Sequence, residues 1–144
     1  MPLAPGEFEK LPPSLLLDAL VLERKPEFHV TVLNREVAAR LRAQEANGVV
    51  GPALPELFAM QDWRWSLTGE RWLLRKDKPE GTAHSVIELL DMPALNRFRH
   101  HAGRAHAEKL PPTPAHVTLY VAGDPIGIGL ADQEEFERLR VRRL

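Results

Sequence analysis

The hydrophobic and polar positions of the chain change period several times, and each change predicts a new element. Alternation rich in β-branched and aromatic residues predicts a strand, whereas apolar positions three and four apart predict a helix. The chain begins with a proline-rich, irregular lead-in over 1–13. The predicted strands cover 17–23, 28–33, 63–67, 71–75, 84–90 and 114–121, and the predicted helices cover 34–47, 55–61, 93–109 and the stretch from 132 onwards.

Residues suited to caps and turns mark several boundaries. Asn34 is a good helix N-cap, and Asn47 followed by Gly48 favours a left-handed helix end. Residues 49–53 are predicted to form a loop. A turn over 24–27 is predicted to join strands 17–23 and 28–33 into a hairpin, and Gly69 is predicted to turn strand 63–67 into strand 71–75. The pattern of 17–23 fits either a helix or a strand, and we favour the strand.

The order of these elements indicates an α+β fold. Strands and helices do not alternate strictly, which favours antiparallel pairing with helices packed outside the sheet. A chain of 144 residues is long enough to bury one core, so we expect a single domain over 1–144.

Composition and charge narrow the functional class. The apolar fraction of 44% and the net charge of −1 are ordinary for a globular protein, so there is no global basic field for coating duplex nucleic acid. The chain contains no cysteine, which excludes disulfides, thiolate nucleophiles and cysteine zinc sites. The acidic start has no basic leader region and no long apolar run follows it. We therefore expect a cytoplasmic monomer that does not contact a membrane.

One short pattern occurs twice and suggests chemistry. Histidine and threonine stand two positions apart at His29 and Thr31, and again at His116 and Thr118, each time inside a predicted strand. Strand side chains alternate faces, so each histidine shares a face with its threonine, about 7 Å away. Two such pairs can hold a phosphate with their hydroxyls, while one imidazole accepts a proton and the other donates one.

The repeated pattern resembles the signature of the 2H phosphoesterases, a superfamily that includes RNA 2′-5′ ligase-like proteins and cyclic-nucleotide phosphodiesterases. Both segments, His29-Val30-Thr31-Val32 and His116-Val117-Thr118-Leu119, match it in full. The resemblance implies a bilobal, pseudo-symmetric fold in which two small antiparallel sheets with outer helices enclose a cleft. It also implies action on a 2′,3′-cyclic phosphate or a 2′-5′ phosphodiester of an RNA end or small nucleotide, without cofactor or metal. By analogy His29 is the acid and His116 the base, and Thr31 and Thr118 bind phosphate oxygens.

Other interpretations of the same residues stand beside this one. A strand histidine is usually half-buried with a backbone partner, and threonine is a common strand residue. The same four residues would also serve an RNA 2′-5′ ligase, or a binding module for RNA or nucleotides that has no turnover.

Three further residues are candidates for substrate binding. Tyr120 stands two positions after Thr118, on the same predicted strand face as His116 and Thr118. Arg35 comes just after the first motif, and His84 shares a predicted strand face with Glu88. The stretch 97–106 is rich in arginine and histidine, but His101 and His106 are five apart, which does not suit two ligands on one helical face. We interpret that stretch as a solvated helix face.

Overall fold

The computed structural model describes residues 1–48 and 51–144. It contains a short 3₁₀ helix at Pro5–Glu7. The strands are β1 (Ser14–Leu17), β2 (Leu20–Arg24), β3 (Ser66–Lys78), β4 (Gly81–Asp91), β5 (His116–Ala122) and β6 (Arg140–Arg143), and the helices are α1 (Arg35–Ala46), α2 (Leu54–Ala59), α3 (Pro93–Ala105) and α4 (Gln133–Leu139). The loop predicted over 49–53 falls partly on Val49 and Val50, which lie outside the described residues.

The described strands form one six-stranded sheet in the order β1-β2-β5-β4-β3-β6. Every neighbouring pair is antiparallel, which confirms the α+β class. The expectation of two separate sheets is wrong for these strands, because β5 pairs with β2 on one edge and β4 on the other and so joins the two halves. The bilobal pseudo-symmetry is not confirmed.

The first hairpin lies earlier in the chain than predicted. The stretch 17–23 is not one strand, because β1 ends at Leu17 and β2 begins at Leu20, with these two residues paired across a two-residue turn. Asp18 in that turn has φ of 54°, a left-handed conformation that aspartate tolerates better than most residues. The leucine-rich run therefore folds back on itself rather than pairing with the segment that follows.

The segment 28–33 is not a regular strand, which corrects the sequence prediction. β2 leaves β5 after the Lys25 amide donates to the Leu119 carbonyl, and Pro26 has no N–H to continue the ladder. The segment instead forms a single bridge between Pro2 and His29. The amides of Leu3 and Val30 make the flanking backbone hydrogen bonds, so the start of the lead-in is held to the first motif.

The region 63–75 was predicted to be two strands joined by a turn at Gly69. In the structure one long strand, β3, begins at Ser66 and runs through it. β3 runs through Gly69, where its register against β4 shifts between Leu67 and Arg71. Gly69 has φ of 75°, so the residue forms a bulge rather than a turn. β6, which the sequence analysis did not predict, pairs with the outer edge of β3.

The helices agree more closely with the sequence. The Asn34 side chain accepts a hydrogen bond from the Val37 amide at 2.8 Å, and Asp132 accepts one from the Glu135 amide at 2.8 Å. The helix after 55 and the helix from 93 are both present as α2 and α3, although α3 ends at Ala105 instead of 109. Side-chain caps act locally, which is why these starts are readable from sequence.

Two hydrophobic clusters cover opposite faces of the sheet. Val86 and Leu90 of β4 pack on one face with Leu95 of α3. Ile87 packs on the other face with Phe136 and Leu139 of α4. A third cluster joins α1, α2 and α3 beside the sheet. None of the helices in the described residues has the length and apolar character needed to cross a bilayer.

Candidate functional site

The second motif begins β5, as predicted. His116 pairs with Leu89 and Thr118 with Ile87, so both side chains lie on the α4 side of the sheet. His116 is 8% exposed, and its Nδ1 lies 2.9 Å from the carbonyl oxygen of Pro114. A carbonyl can only accept, so Nδ1 carries the hydrogen and donates it. In the neutral ring this leaves Nε2 as a free acceptor.

The pKa of His116 is lowered from its ordinary value. Burial is the largest cause, the hydrogen bond to Pro114 opposes it, and the charge of His29 lowers it further. The last cause requires that the two imidazoles lie close enough for one charge to act on the other. Together with the hydrogen bond from the Lys25 amide to the Leu119 carbonyl, this effect indicates that the first motif lies near the start of β5.

The first motif lies on irregular backbone with a single bridge at His29. Phe28 and Val30 are buried in the core on the α3 side, whereas His29 and Thr31 are exposed. Buried and exposed side chains thus alternate as they would in a strand, although the segment makes no regular strand pairing. The pKa of His29 is lowered by burial first and then by the charges of the Met1 amino group and Lys25, while Glu27 opposes them.

The two motifs approach each other at the edge of β5. The last pairing of β2 with β5 joins Arg24 to Tyr120, so residues 116–118 lie beyond it. The chain that continues from Lys25 into the first motif leaves the sheet at this level. Thr118 is half-buried, and a Cβ placed on Gly127 would lie 3.3 Å from its methyl carbon. Neither the Thr31 nor the Thr118 hydroxyl makes a hydrogen bond within the described residues.

Tyr120 does not lie where strict alternation put it. The β4–β5 register shifts between Val86 and Ile87, so Leu119 is an extra residue and Tyr120 faces Val86 on the α3 side. The ring is 3% exposed and its hydroxyl donates to the Pro12 carbonyl at 3.1 Å. The prediction that Tyr120 shares a face with His116 and Thr118 is wrong, and the residue packs the core.

The other two binding candidates, Arg35 and His84, lie on different elements. Arg35 is exposed at the start of α1. His84 pairs with Ala122 at the far end of β5, five positions along β4 from the partner of His116, which is roughly 17 Å at the usual rise of a strand. The pKa of His84 is lowered by burial and by the charge of Arg75, while Asp77 opposes them. The structure does not bring His84 to the site.

Arg99 is a residue that the sequence analysis missed. It is 5% exposed, and its guanidinium donates to the carbonyls of Pro111 at 2.9 Å, Ala131 at 3.2 Å and Val32 at 3.3 Å. Its pKa is lowered by burial, which the charge of Asp132 opposes. The sequence did contain one indication that Arg99 is buried: it follows Leu95 by four residues and so lies on the apolar face of α3.

The interpretation of 97–106 as a solvated face therefore holds only in part. Arg97, His100, His101 and Arg104 are exposed. Arg99 and His106 are buried, and His106 donates through Nδ1 to the Ala102 carbonyl at 2.8 Å and contacts Glu45 through Nε2 at 3.1 Å. The stretch is a mixed face that ties α3 to α1 and to the loops.

A cavity of about 620 Å³ opens beside the first motif. His29 and Thr31 lie in its wall together with Arg42, Glu45, Leu54 and Phe58. Arg42 is exposed and follows Ala38 by one helical turn, so it borders the apolar stripe of α1; that proximity was the only sequence signal for it. The cavity gives the exposed side of the first motif a partly apolar neighbour.

Comparison of the chain with protein-family models, with curated proteins and with solved structures gave no match. Within residues 1–48 and 51–144, no group of three or more His, Asp or Glu side chains is arranged to hold a metal ion. The resemblance to the 2H phosphoesterases rests on the two motifs.

Proposed function

We propose that the protein is a metal-independent phosphodiesterase that acts on a 2′,3′-cyclic phosphate or a 2′-5′ phosphodiester of an RNA end or small nucleotide. The observation that supports this most directly is that the chain leading into the first motif leaves the sheet beside β5, where the second motif begins, so that the charge of His29 acts on His116. The two histidines lie far apart in the sequence, yet each belongs to a copy of the same short motif. An active site built from both copies would explain why the two motifs lie near each other.

The chemistry needs one proton acceptor and one proton donor. In hydrolysis of a cyclic phosphate, water attacks phosphorus and loses its proton to the base, while the departing ribose oxygen receives a proton from the acid. One P–O bond forms and one breaks. The Thr31 and Thr118 hydroxyls donate to the non-bridging oxygens and stabilise the charge that develops there.

The surroundings of the two rings favour a division of roles. His116 is buried and its Nδ1–H is held by the Pro114 carbonyl, so the neutral ring presents Nε2 as the base. His29 is the more exposed ring, so its protonated form keeps more hydration than that of His116; its pKa is nevertheless lowered, by partial burial and by the charges of Met1 and Lys25, and only Glu27 opposes them. We therefore assign the base to His116 and the acid to His29.

The test is hydrolysis of 2′,3′-cyclic and 2′-5′ linked nucleotides, with the product isomers separated by chromatography. We expect His29→Ala and His116→Ala each to lower turnover by about 10²–10⁴, because each removes one proton transfer. His29→Ala should keep the unfolding midpoint within a few degrees of the natural protein, and circular dichroism should show that His116→Ala, whose ring is buried, remains folded at the assay temperature. His101→Ala, an exposed histidine on α3, is the matched control and should keep full activity.

Two outcomes would overturn the proposal. Unchanged turnover in either motif variant would remove the acid–base mechanism. Nucleotide binding that both variants weaken, with no turnover by the natural protein on any of the substrates, would replace it with a binding function. Activity should also persist in EDTA, because both proton transfers are assigned to side chains.

A further inference from the structure

The cavity beside the first motif has a composition that suits one kind of group. Its wall combines the exposed polar pair His29 and Thr31 with the apolar surfaces of Leu54 and Phe58. Ligand sites typically combine a mostly apolar wall with a few convergent polar groups, in volumes of roughly 300–1,000 Å³. A volume of about 620 Å³ accommodates a nucleoside but not a folded RNA element.

We propose that this cavity binds the nucleoside part of the substrate, with the base stacked on Phe58, when the phosphate lies at His29 and Thr31. This inference rests on the proposed phosphodiesterase function and adds where the base binds and which side chains select for it. It predicts that the enzyme recognises a single base on the first-motif side of the phosphate.

Phe58 is held in a fixed orientation. One face of its ring packs against Trp63, with 4.5 Å between the centroids, and Phe98 meets it edge-on at 6.0 Å. The indole N–H of Trp63 donates to the Phe58 carbonyl at 2.8 Å, which ties the two residues together. Phe58 is only half-buried and also lines the cavity. A rigid aromatic surface of this kind is a stacking platform for a base.

Arg42 gives the same cavity a positive charge. Its guanidinium forms no ion pair with any residue in the described parts of the chain. The nearby carboxylate of Glu45 is already engaged, because its Oε1 accepts from the Leu54 amide at 2.6 Å and lies 3.1 Å from His106. Arg42 therefore favours an anionic ligand, and its charge acts on the phosphate whether or not a base is attached.

The experiment compares a nucleoside 2′,3′-cyclic phosphate with glycerol 1,2-cyclic phosphate, which has the same reacting ring without sugar or base. We expect the natural protein to show a kcat/KM at least about tenfold higher for the nucleoside substrate, since stacking one base is worth about 1–3 kcal/mol. Phe58→Leu keeps apolar volume but removes the aromatic face. It should lower kcat/KM about five- to tenfold for the nucleoside substrate and leave the glycerol substrate unchanged.

Arg42→Gln should behave differently, raising KM for both substrates, because it removes a charge rather than a stacking surface. Arg104→Gln, an exposed arginine on α3, is the control for loss of charge and should change neither substrate. Phe136→Leu, an aromatic residue of the cluster around α4, is the control for loss of a ring in a core. Neither control should alter the ratio of the two kcat/KM values.

The outcomes separate the two proposals. Equal kcat/KM for both substrates in the natural protein, or an equal loss for both in Phe58→Leu, would overturn the nucleoside cavity and leave the phosphodiesterase standing. Turnover of neither substrate, and of no 2′-5′ linked nucleotide in the same assay, would overturn the phosphodiesterase itself and the nucleoside cavity with it. Selective loss on the nucleoside substrate in Phe58→Leu alone would support the cavity.

Discussion

The two motif histidines differ in how they are held, although their sequences are nearly identical. His116 is fixed by burial and by its hydrogen bond to Pro114, whereas His29 is exposed on a segment with one bridge. The pKa of each ring is nevertheless lowered, in both cases chiefly by burial. Burial disfavours the imidazolium because a charged ring loses more hydration than a neutral one.

The lowered pKa values predict the pH dependence of kcat/KM, which reports the free enzyme. The base must be neutral, and its neutral fraction rises through a pKa below the ordinary 6.5. The acid must be protonated, and its protonated fraction falls through a pKa that also lies below 6.5. The profile should therefore be bell-shaped with its maximum below about pH 6.5. Initial rates from about pH 4.5 to about pH 8 would measure it, and a maximum above neutrality would contradict the assignment.

Tyr120 provides a residue-scale test of the corrected strand face. Tyr120→Phe removes only the hydroxyl that donates to Pro12, so we expect a loss of about 1 kcal/mol in the free energy of unfolding. Since the ring lies on the α3 side of the sheet, kcat and KM should not change. Urea unfolding and steady-state kinetics on one preparation would check both values. A large rise in KM would mean that Tyr120 contacts substrate after all.

At the scale of elements, the buried guanidinium of Arg99 joins three parts of the chain. Its partners are the first motif segment at Val32, the approach to β5 at Pro111, and the loop before α4 at Ala131. None of these segments is in a helix or a strand at those positions. A single side chain on α3 therefore sets the spacing of the irregular segments around the site.

Arg99→Met should lower the free energy of unfolding by about 3 kcal/mol, because three backbone carbonyls lose the charged donor that Arg99, itself buried, supplies. Arg99→Lys should recover only part of that loss, since one ammonium group cannot reproduce the planar fork. Arg97→Met, two residues earlier and exposed, is the matched control and should change stability by less than about 0.5 kcal/mol. Urea titration would measure all three variants. Equal, small losses for Arg99→Met and Arg97→Met would show that the three contacts contribute little.

At the scale of the whole molecule, the sequence predicts what depends on nearby residues. The cap at Asn34, the helix that starts after 132 and the β5 motif strand all agree with the structure, because each depends on a few neighbouring side chains. That the two histidines share one site is a prediction from the repeated motif rather than from any long-range contact.

The predictions that were wrong or incomplete concern features that depend on residues far away in the sequence. Gly69 is as suitable for a bulge as for a turn, and only the length of β4 beside it decides that β3 continues. The segment 28–33 has the composition of a strand, but Pro26 takes it out of the sheet and residues 1–3 cover it. Arg99 and Arg42 were missed because a charged residue in a helix is normally solvated, and its burial or its cavity is set by the packing of other elements.

The extra residue at Leu119 in β5 has a consequence for how the two sides of the molecule are connected. Up to Thr118 the even-numbered side chains of β5 face the α4 side of the sheet. Beyond Leu119 the even-numbered side chain of Tyr120 faces the α3 side instead. Thr118 and Val121, three positions apart, consequently both lie next to Gly127. The consecutive residues Leu119 and Tyr120 both pack in the core on the α3 side. One short strand thereby places His116 and Thr118 on the α4 side at its beginning and packs Leu119 and Tyr120 into the α3-side core towards its end, without a second strand for either task.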